Sequence, residues 1–202
     1  MKAKLFKALL MMPLALLFAA CDGPSNVPDT GTDTGNDKDT TEVPVEQWVS
    51  IEDIKTFFPV KVGQKYYYGA KRPEGLMEIC EVVDITIDEK EPSMIVVFDL
   101  YNPDSTIKNK IMVTLSCKDG KTFKANYDCQ YISEMYPDVN GGAEEEIQTK
   151  GALPDKMTIP TSAGNLTLAV IEAGKGLTYF RCFADSESDG YEMVFVTVQE
   201  PQ

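Results

Sequence analysis

Short runs in which apolar and polar residues alternate fill most of the chain after residue 60, and they restrict its fold more than any other feature. In the clearest run, Ile107, Ile111, Val113, Leu115 and Cys117 share one parity, while lysine, threonine and serine occupy most of the other. A period of two is typical of β-strands with one buried face. Because such runs follow one another without helical patterns between them, the sequence predicts an all-β fold, either an antiparallel sandwich or a partly open barrel.

The segment before these runs predicts one short N-terminal helix over 51–57. Ser50 and Asp53 have the spacing of a capping box, in which each side chain accepts a hydrogen bond from the other residue's backbone N–H. Pro59 follows, and a proline disfavours helical conformation in the residue before it. We therefore expect the helix to end at about residue 57.

Alternation and apolar content predict strands over 65–70, 76–88, 93–101, 107–117, 123–129, 166–170, 177–184 and 191–198. A break in the alternation around 80–82 predicts a β-bulge. Asp119-Gly120 predicts a two-residue hairpin turn, and residues 137–143, with Asn140-Gly141-Gly142, predict a loop.

Residues 1–20 have the pattern of a secretory signal. Lys2, Lys4 and Lys7 accompany an apolar stretch that ends in two alanines. Cys21 follows directly, so this segment resembles the lipobox of bacterial lipoproteins. The resemblance implies cleavage before Cys21, acylation of its thiol and amine, and a lipid anchor in the bacterial cell envelope, at the outer membrane. A plainly cleaved signal followed by an incidental cysteine is the alternative.

Residues 21–46 differ in composition from both neighbouring segments. They consist mainly of Asp, Thr, Gly, Pro and Asn, with a single lysine and hardly any apolar side chain. Such a segment cannot bury enough surface to offset the entropy lost on ordering. We therefore expect a disordered acidic tether behind the lipidated cysteine, followed by a single all-β domain over 47–202.

Charge and composition exclude several functions. Without residues 1–20 the chain keeps 16 basic and 32 acidic residues, a net charge of −16. Nucleic-acid binding needs clustered Lys and Arg, so no nucleic-acid partner is expected. The chain has no histidine, which excludes Ser-His-Asp and Cys-His catalysis. We expect no enzyme, with a histidine-free hydrolase that uses a carboxylate pair as an alternative.

Asp185, Glu187 and Asp189 form the candidate metal site of the sequence. They place carboxylates at alternating positions before a glycine, like the opening of a calcium loop. The twelfth position of that loop is Val196 instead of the glutamate that an EF-hand requires. An acidic hairpin tip is therefore the alternative, and calcium is the only cofactor that the sequence suggests.

Tyr66, Tyr67 and Tyr68 form the candidate binding site for a sugar. Aromatic rings on one surface can stack on sugar rings, and strand alternation turns at least one of the three outward. Packing in the core or across strands is the alternative. The run Glu144-Glu145-Glu146 indicates a solvated acidic face.

Four cysteines remain besides Cys21, and an oxidising compartment would allow them to pair. With a tight turn at 119–120, Cys117 lies opposite Thr122, which leaves Cys129 about 20 Å away along the strand. A disulfide tolerates about 7 Å between Cα atoms, so a Cys117–Cys129 bridge is disfavoured, and Cys80 and Cys182 are the favoured partners. Four buried free thiols are the alternative.

Several short motifs resemble secreted bacterial domains. The opening Phe58–Tyr68 (FPVKVGQKYYY), Cys117–Phe123, Leu153-Pro154-Asp155 and Phe180-Arg181-Cys182 are similar to uncharacterised all-β lipoproteins of anaerobic Gram-negative gut bacteria. The resemblance implies an all-β fold and outer-membrane lipidation, with no established activity. We expect an envelope-anchored binding or structural module with an unknown protein or glycan partner. A glycan- or peptide-binding accessory of a surface uptake system is the alternative.

Overall fold

The computed structural model describes residues 46–70, 77–101, 105–132, 138–161, 166–182 and 192–201. The chain divides into two units, Met1–Glu42 and Val43–Gln202, and every described residue belongs to the second. The elements of that unit are α1 (Ile51–Phe57), β1 (Lys65–Ala70), β2 (Met77–Asp88), β3 (Ser93–Tyr101), β4 (Ile107–Ser116), β5 (Thr122–Tyr131), β6 (Val139–Glu146), β7 (Lys156–Pro160), β8 (Thr167–Glu172), β9 (Gly176–Arg181) and β10 (Glu192–Gln199).

All ten strands belong to one sheet with the order β6-β5-β4-β3-β2-β1-β10-β9-β8-β7. Every paired neighbour is antiparallel, so the chain runs up and down through the sheet and the last strand pairs with the first. The two edge strands, β6 and β7, contact each other. The predicted all-β antiparallel fold is confirmed, and of its two forms the structure has the partly open barrel.

The contact between the two edges depends on Gly141 in β6. A Cβ atom built on Gly141 would lie 2.5 Å from the carbonyl oxygen of Pro160 and 3.0 Å from Cδ2 of Leu168. Real Cβ atoms do not approach backbone oxygen this closely, so the absent side chain allows β6 to lie against β7. The barrel therefore closes where the sequence provides a glycine.

Helix α1 covers one end of the barrel interior. The Phe57 ring packs edge-on against Phe123 at 5.2 Å between centroids, and Phe58 packs edge-on against Phe98 at 6.4 Å. Gly176, at φ +85°, lies against the Phe58 ring, where a Cβ would meet Cε2 at 3.2 Å. The last residue of the helix and its C-cap residue therefore seal this end with two aromatic side chains that are almost fully buried.

The capping box predicted for α1 is confirmed. Ser50 Oγ accepts a hydrogen bond from the Asp53 N–H at 3.2 Å, and Asp53 Oδ2 accepts one from the Ser50 N–H at 2.8 Å. Replacing Ser50 with alanine is expected to lower the free energy of unfolding by about 1 kcal/mol. Thr56→Ala is the control, because the Thr56 hydroxyl bonds only to the carbonyl of Glu52 in the same helix. Urea unfolding of both variants measures the difference, and equal losses would contradict the capping role.

Two sequence-based expectations differ from the structure. The predicted loop over 137–143 contains the first half of β6, because Gly141 and Gly142 remove the apolar side chains by which alternation is recognised. The predicted two-residue turn at 119–120 is also wrong. Strand β4 ends at Ser116 and β5 begins at Thr122, so the connection runs from 117 to 121 and contains Gly120 at φ +80°.

Asp119 in this turn gives a prediction for stability at acid pH. Hydrogen bonds from the Thr122 side chain, the Thr122 N–H and the Lys121 N–H hold the pKa of Asp119 at about 2. The pKa is lower in the folded chain than in the unfolded chain, so this contribution is present above about pH 4 and is lost as the pH falls towards 2. Melting temperatures between pH 5 and 2 should therefore fall less steeply in Asp119→Asn than in the unmodified chain, and parallel curves would contradict this.

None of the described residues forms a helix that is long and apolar enough to cross a membrane. Residues 1–20, Cys21 and the predicted tether up to residue 45 lie outside the described residues, and the calcium candidates Asp185, Glu187 and Asp189 do as well.

Candidate functional site

Strands β9 and β10 pair along only part of their length. Their pairs are Arg181–Glu192, Phe180–Met193 and Tyr179–Val194. Beyond these three pairs, β10 continues through Phe195–Gln199 and β9 begins at Gly176, without pairing between them. We call this opening the β9–β10 split.

Bulges on both sides account for the split. The pairing of β10 with β1 shifts register between Tyr67 and Tyr68, and the pairing of β9 with β8 shifts between Val170 and Ile171. A bulge bends its strand and increases the local twist. Each strand therefore follows its outer partner, and the two diverge after Val194.

Two cavities meet at the split. The larger one, on the outer face, has a volume of about 730 Å³, and the second, near the helix-covered end, has about 550 Å³. Lys175 and Phe195 line both cavities. Volumes of this size are typical of ligand sites in proteins.

The base of the split is aromatic and apolar. The Phe195 ring lies 6.0 Å from the Tyr66 ring, and Val198 lines the same cavity. Burial and then the nearby charge of Glu200 raise the pKa of Tyr66 to about 12, so its hydroxyl stays protonated at neutral pH. The floor therefore offers an uncharged surface for an apolar side chain.

Charged side chains border the split in pairs. Lys175 Nζ lies 2.7 Å from Glu172 Oε2, and Lys61 Nζ lies 3.0 Å from Glu200 Oε2. Gln64 also donates a hydrogen bond to Glu200 at 2.9 Å. These hydrogen bonds lower the pKa of both glutamates, so both are ionised at neutral pH. The rim is therefore polar and close to neutral, although the chain as a whole is strongly acidic.

Arg181 is a buried charged residue among those that line the larger cavity. Its side chain is 7% exposed, its Nε donates to the Tyr179 hydroxyl at 2.7 Å, and its Nη2 contacts the carboxylate of Glu192. The Nη1 group is buried from solvent and has no hydrogen-bond partner among the described residues. A buried donor without a partner is costly, so this position is a weak point in the packing beside the cavity.

The three candidate tyrosines do not share one surface. Tyr66 and Tyr68 point into the barrel and are 3% and 0% exposed, whereas Tyr67 faces outward and its hydroxyl bonds to Gln199 Oε1 at 2.8 Å. Strand alternation separates them, so their rings cannot form a common platform. The structure instead brings Tyr66 to the base of the split.

Other sequence candidates lie apart from the split. Among the described residues, no group of acidic or sulfur side chains has the arrangement of a metal site. Glu144, Glu145 and Glu146 are exposed at the end of β6, and Glu144 pairs with Lys124 at 3.1 Å.

A carboxylate pair lies on the outer face of the barrel. Glu81 and Asp99 are opposite each other on β2 and β3. Lys65 Nζ lies 3.7 Å from Glu81, and Lys110 Nζ lies 2.9 Å from Asp99. The four residues form a row of charges across β1 to β4, in which each carboxylate has a lysine beside it.

All four cysteines of the domain are buried as free thiols. Cys117 follows β4 at the helix-covered end, whereas Cys129 pairs with Ile111 farther along the same hairpin. Six residues of β4 separate Ile111 from Cys117, a distance of about 20 Å in a strand. Cys129 lies close to Cys182 and Cys80 instead.

The chain matches no family model, no curated protein and no solved structure. The candidate site therefore rests on geometry. Sequence reasoning missed the split, because strand divergence depends on two bulges far apart in the chain. One sequence feature pointed to this region. Arg181 is one of only two arginines in the sequence, and it lines the larger cavity.

Proposed function

We propose that the chain is a lipid-anchored binding module of the bacterial envelope, and that it holds an extended peptide in the β9–β10 split. In this proposal, Cys21 carries the lipid, the acidic segment up to residue 46 is a spacer, and the barrel binds the partner. The protein acts as an accessory that captures peptide at the outer membrane, and it catalyses no reaction.

One observation carries the proposal: among the residues that the structure describes, β10 has no partner on its β9 side over Phe195–Gln199. Backbone N–H and C=O groups on such an edge need hydrogen-bond partners, and an added strand provides them. Five residues of strand span about 17 Å, so a short extended peptide matches the edge. Peptide recognition by strand addition uses this geometry.

The surroundings of this edge suit a peptide. In strand addition, alternate side chains of the ligand point into pockets, and those pockets determine specificity. Phe195 and Val198 provide an apolar floor for one set of side chains. Lys156, which lines the larger cavity, provides a donor for a carbonyl or carboxylate group of the ligand. We therefore expect a ligand with one apolar side chain next to an acceptor.

Selection from a displayed library of seven-residue peptides on the full mature chain in detergent tests the proposal. Selected peptides should lose affinity at least tenfold when alternate backbone nitrogens are methylated, and the other set of methylations should have little effect. Such a two-residue period is the signature of a strand paired on one side. A library that yields no binder, or methylation effects without this period, would contradict the proposal.

A matched pair of variants locates the binding site. Thr178 lines the larger cavity, so Thr178→Trp should block a selected peptide. Thr86→Trp makes the same change on the outer face of β2, away from the split, and should leave binding unchanged. Equal affinities of the two variants would place the ligand elsewhere.

Glycan binding is the second candidate function. Tyr179 and Phe195 line the larger cavity together with the hydrogen-bonding side chains of Lys156 and Thr178, a combination that sugars also use. A glycan array probed with the same full chain distinguishes the two candidates. Saturable glycan binding that Thr178→Trp abolishes would replace the peptide proposal. The carboxylate-pair hydrolase stays an untested alternative.

The anchor is tested separately from the ligand. Cells that express the chain and grow with labelled palmitate should label the mature protein, and Cys21→Ser should remove the label. Unlabelled protein from the unmodified chain would overturn the anchor, whatever the split binds.

A further inference from the structure

Three neighbouring side chains of β5 reach across the barrel interior to the end of β9. Tyr127, Cys129 and Tyr131 share one face of their strand, because successive side chains alternate. The Tyr127 hydroxyl donates to the carbonyl oxygen of Arg181 at 3.3 Å, and the Tyr131 hydroxyl donates to the carbonyl oxygen of Cys182. Two independent hydrogen bonds therefore hold the backbone of 181–182 opposite Cys129.

The cysteine between the two tyrosines contacts the cysteine at the end of β9. The side chains of Cys129 and Cys182 interact with each other, and both are 0% exposed. Next to them, the Tyr127 ring stacks on Phe180 at 6.4 Å between centroids. The two sulfur atoms are therefore held together by contacts that do not depend on the cysteines themselves.

We propose that Cys129 and Cys182 form a disulfide that joins opposite walls of the barrel. Strands β5 and β9 are not neighbours in the sheet, so no backbone ladder links them. The bridge closes a loop of about 50 residues and restricts the unfolded chain accordingly. Cys80 is the nearest competitor, and Cys117 is remote.

The bridge forms by exchange with a disulfide donor of the glutathione or dithiol oxidoreductase class. The thiolate of one cysteine attacks the donor disulfide, and this step breaks the donor S–S bond and forms a mixed disulfide. The second cysteine then displaces the donor sulfur. Two electrons pass from the cysteine pair to the donor, which leaves as two thiols that carry the two protons.

Burial determines when this exchange takes place. The hydrogen bond with Cys182 and then desolvation raise the pKa of the Cys129 thiol far above its ordinary value, so the folded thiol is a poor nucleophile. The exchange therefore takes place during folding, before the walls of the barrel come together.

Trypsin separates the four cysteines, which gives a direct test. Cleavage after Lys and Arg places Cys80 in the peptide 72–90, Cys117 in 111–118, Cys129 in 125–150 and Cys182 in 182–202. The reduced full chain is refolded with a glutathione and glutathione disulfide mixture, and its free thiols are then alkylated. Mass spectrometry without reduction should find 125–150 linked to 182–202, with 72–90 and 111–118 alkylated. A link between 72–90 and 125–150, or alkylation of all four peptides, would overturn the proposal.

Thermal unfolding provides a second measurement on the same samples. The oxidised chain should melt on the order of 10 °C above the reduced chain. Cys129→Ala and Cys182→Ala should remove this difference, and Cys117→Ala should keep it. A difference that persists in Cys129→Ala would contradict the assignment. Mapping on the unmodified chain decides the question even if a variant does not fold, and neither result depends on what the split binds.

Discussion

Replacing Tyr68 with alanine is expected to lower the free energy of unfolding by about 3–5 kcal/mol, because it removes a large aromatic side chain from the centre of the barrel. Tyr68 is fully buried, and its ring packs edge-on against Phe180 at 4.9 Å and against Phe195 at 6.1 Å. Its hydroxyl donates to the carbonyl oxygen of Leu177 at 2.7 Å. The change therefore removes packing of β1 against β9 and β10 and leaves a buried carbonyl without its partner.

The neighbouring residue provides the matched control for this change. Tyr67 faces outward with a hydroxyl bonded only to Gln199, so Tyr67→Ala is expected to cost about 1 kcal/mol or less. Tyr68→Phe keeps the ring and loses only the hydrogen bond, for a loss of about 1–2 kcal/mol. Urea unfolding monitored by circular dichroism measures all three. Equal losses for Tyr67→Ala and Tyr68→Ala would mean that the register of β1 is wrong.

Replacing Gly141 with alanine is expected to separate the two edges of the sheet and to cost about 2–3 kcal/mol. The new Cβ would lie 2.5 Å from the Pro160 carbonyl oxygen, which is backbone and cannot rotate away. Strands β6 and β7 must therefore move apart. A lower melting temperature and faster amide exchange in β7 are the expected observations.

Gly142 is the control for the edge contact. A Cβ on Gly142 would also meet an atom at 2.5 Å, but that atom is the side-chain oxygen of Asn126, which is exposed and can rotate. Gly142→Ala should therefore change stability by about 0.5 kcal/mol or less. If the two alanine variants lost the same stability, the barrel would not close at Gly141.

Strand alternation was sufficient to predict most of the sheet. The predicted bounds of Lys65–Ala70 and Ser93–Tyr101 agree with β1 and β3, and the helix agrees with α1. These segments carry their own signal, because one face of each is apolar and their ends contain caps or turn residues. The bulge expected around 80–82 lies between Val82 and Asp84, where β2 shifts register against β3.

The strands that the sequence did not predict are β6 and β7, and the reasons differ. Three of the eight residues of β6 are glycine or alanine, and β7 ends at Pro160, a residue that seldom lies inside a strand. Their position depends on contact between the two edges of the sheet, which no local pattern encodes. Sheet closure is a tertiary property, so the sequence pattern could not distinguish a sandwich from a barrel.

The candidate site was harder to predict from the sequence than the fold, for the same reason. Tyr66 was identified, but as part of an exposed platform, because alternation alone does not tell which parity faces the core. Arg181 and Phe195 become a site only where β9 and β10 diverge. This divergence is produced by bulges in two different strand pairs, and neither bulge has a strong sequence signal.

The central claim is that a peptide adds as a strand to the free edge of β10. Amide hydrogen exchange of the full mature chain, with and without a selected peptide, tests it most directly. We expect the peptide to slow exchange over Phe195–Gln199 and to leave the ladder between β3 and β4 unchanged. A bound peptide that leaves exchange over Phe195–Gln199 unaltered would contradict the claim.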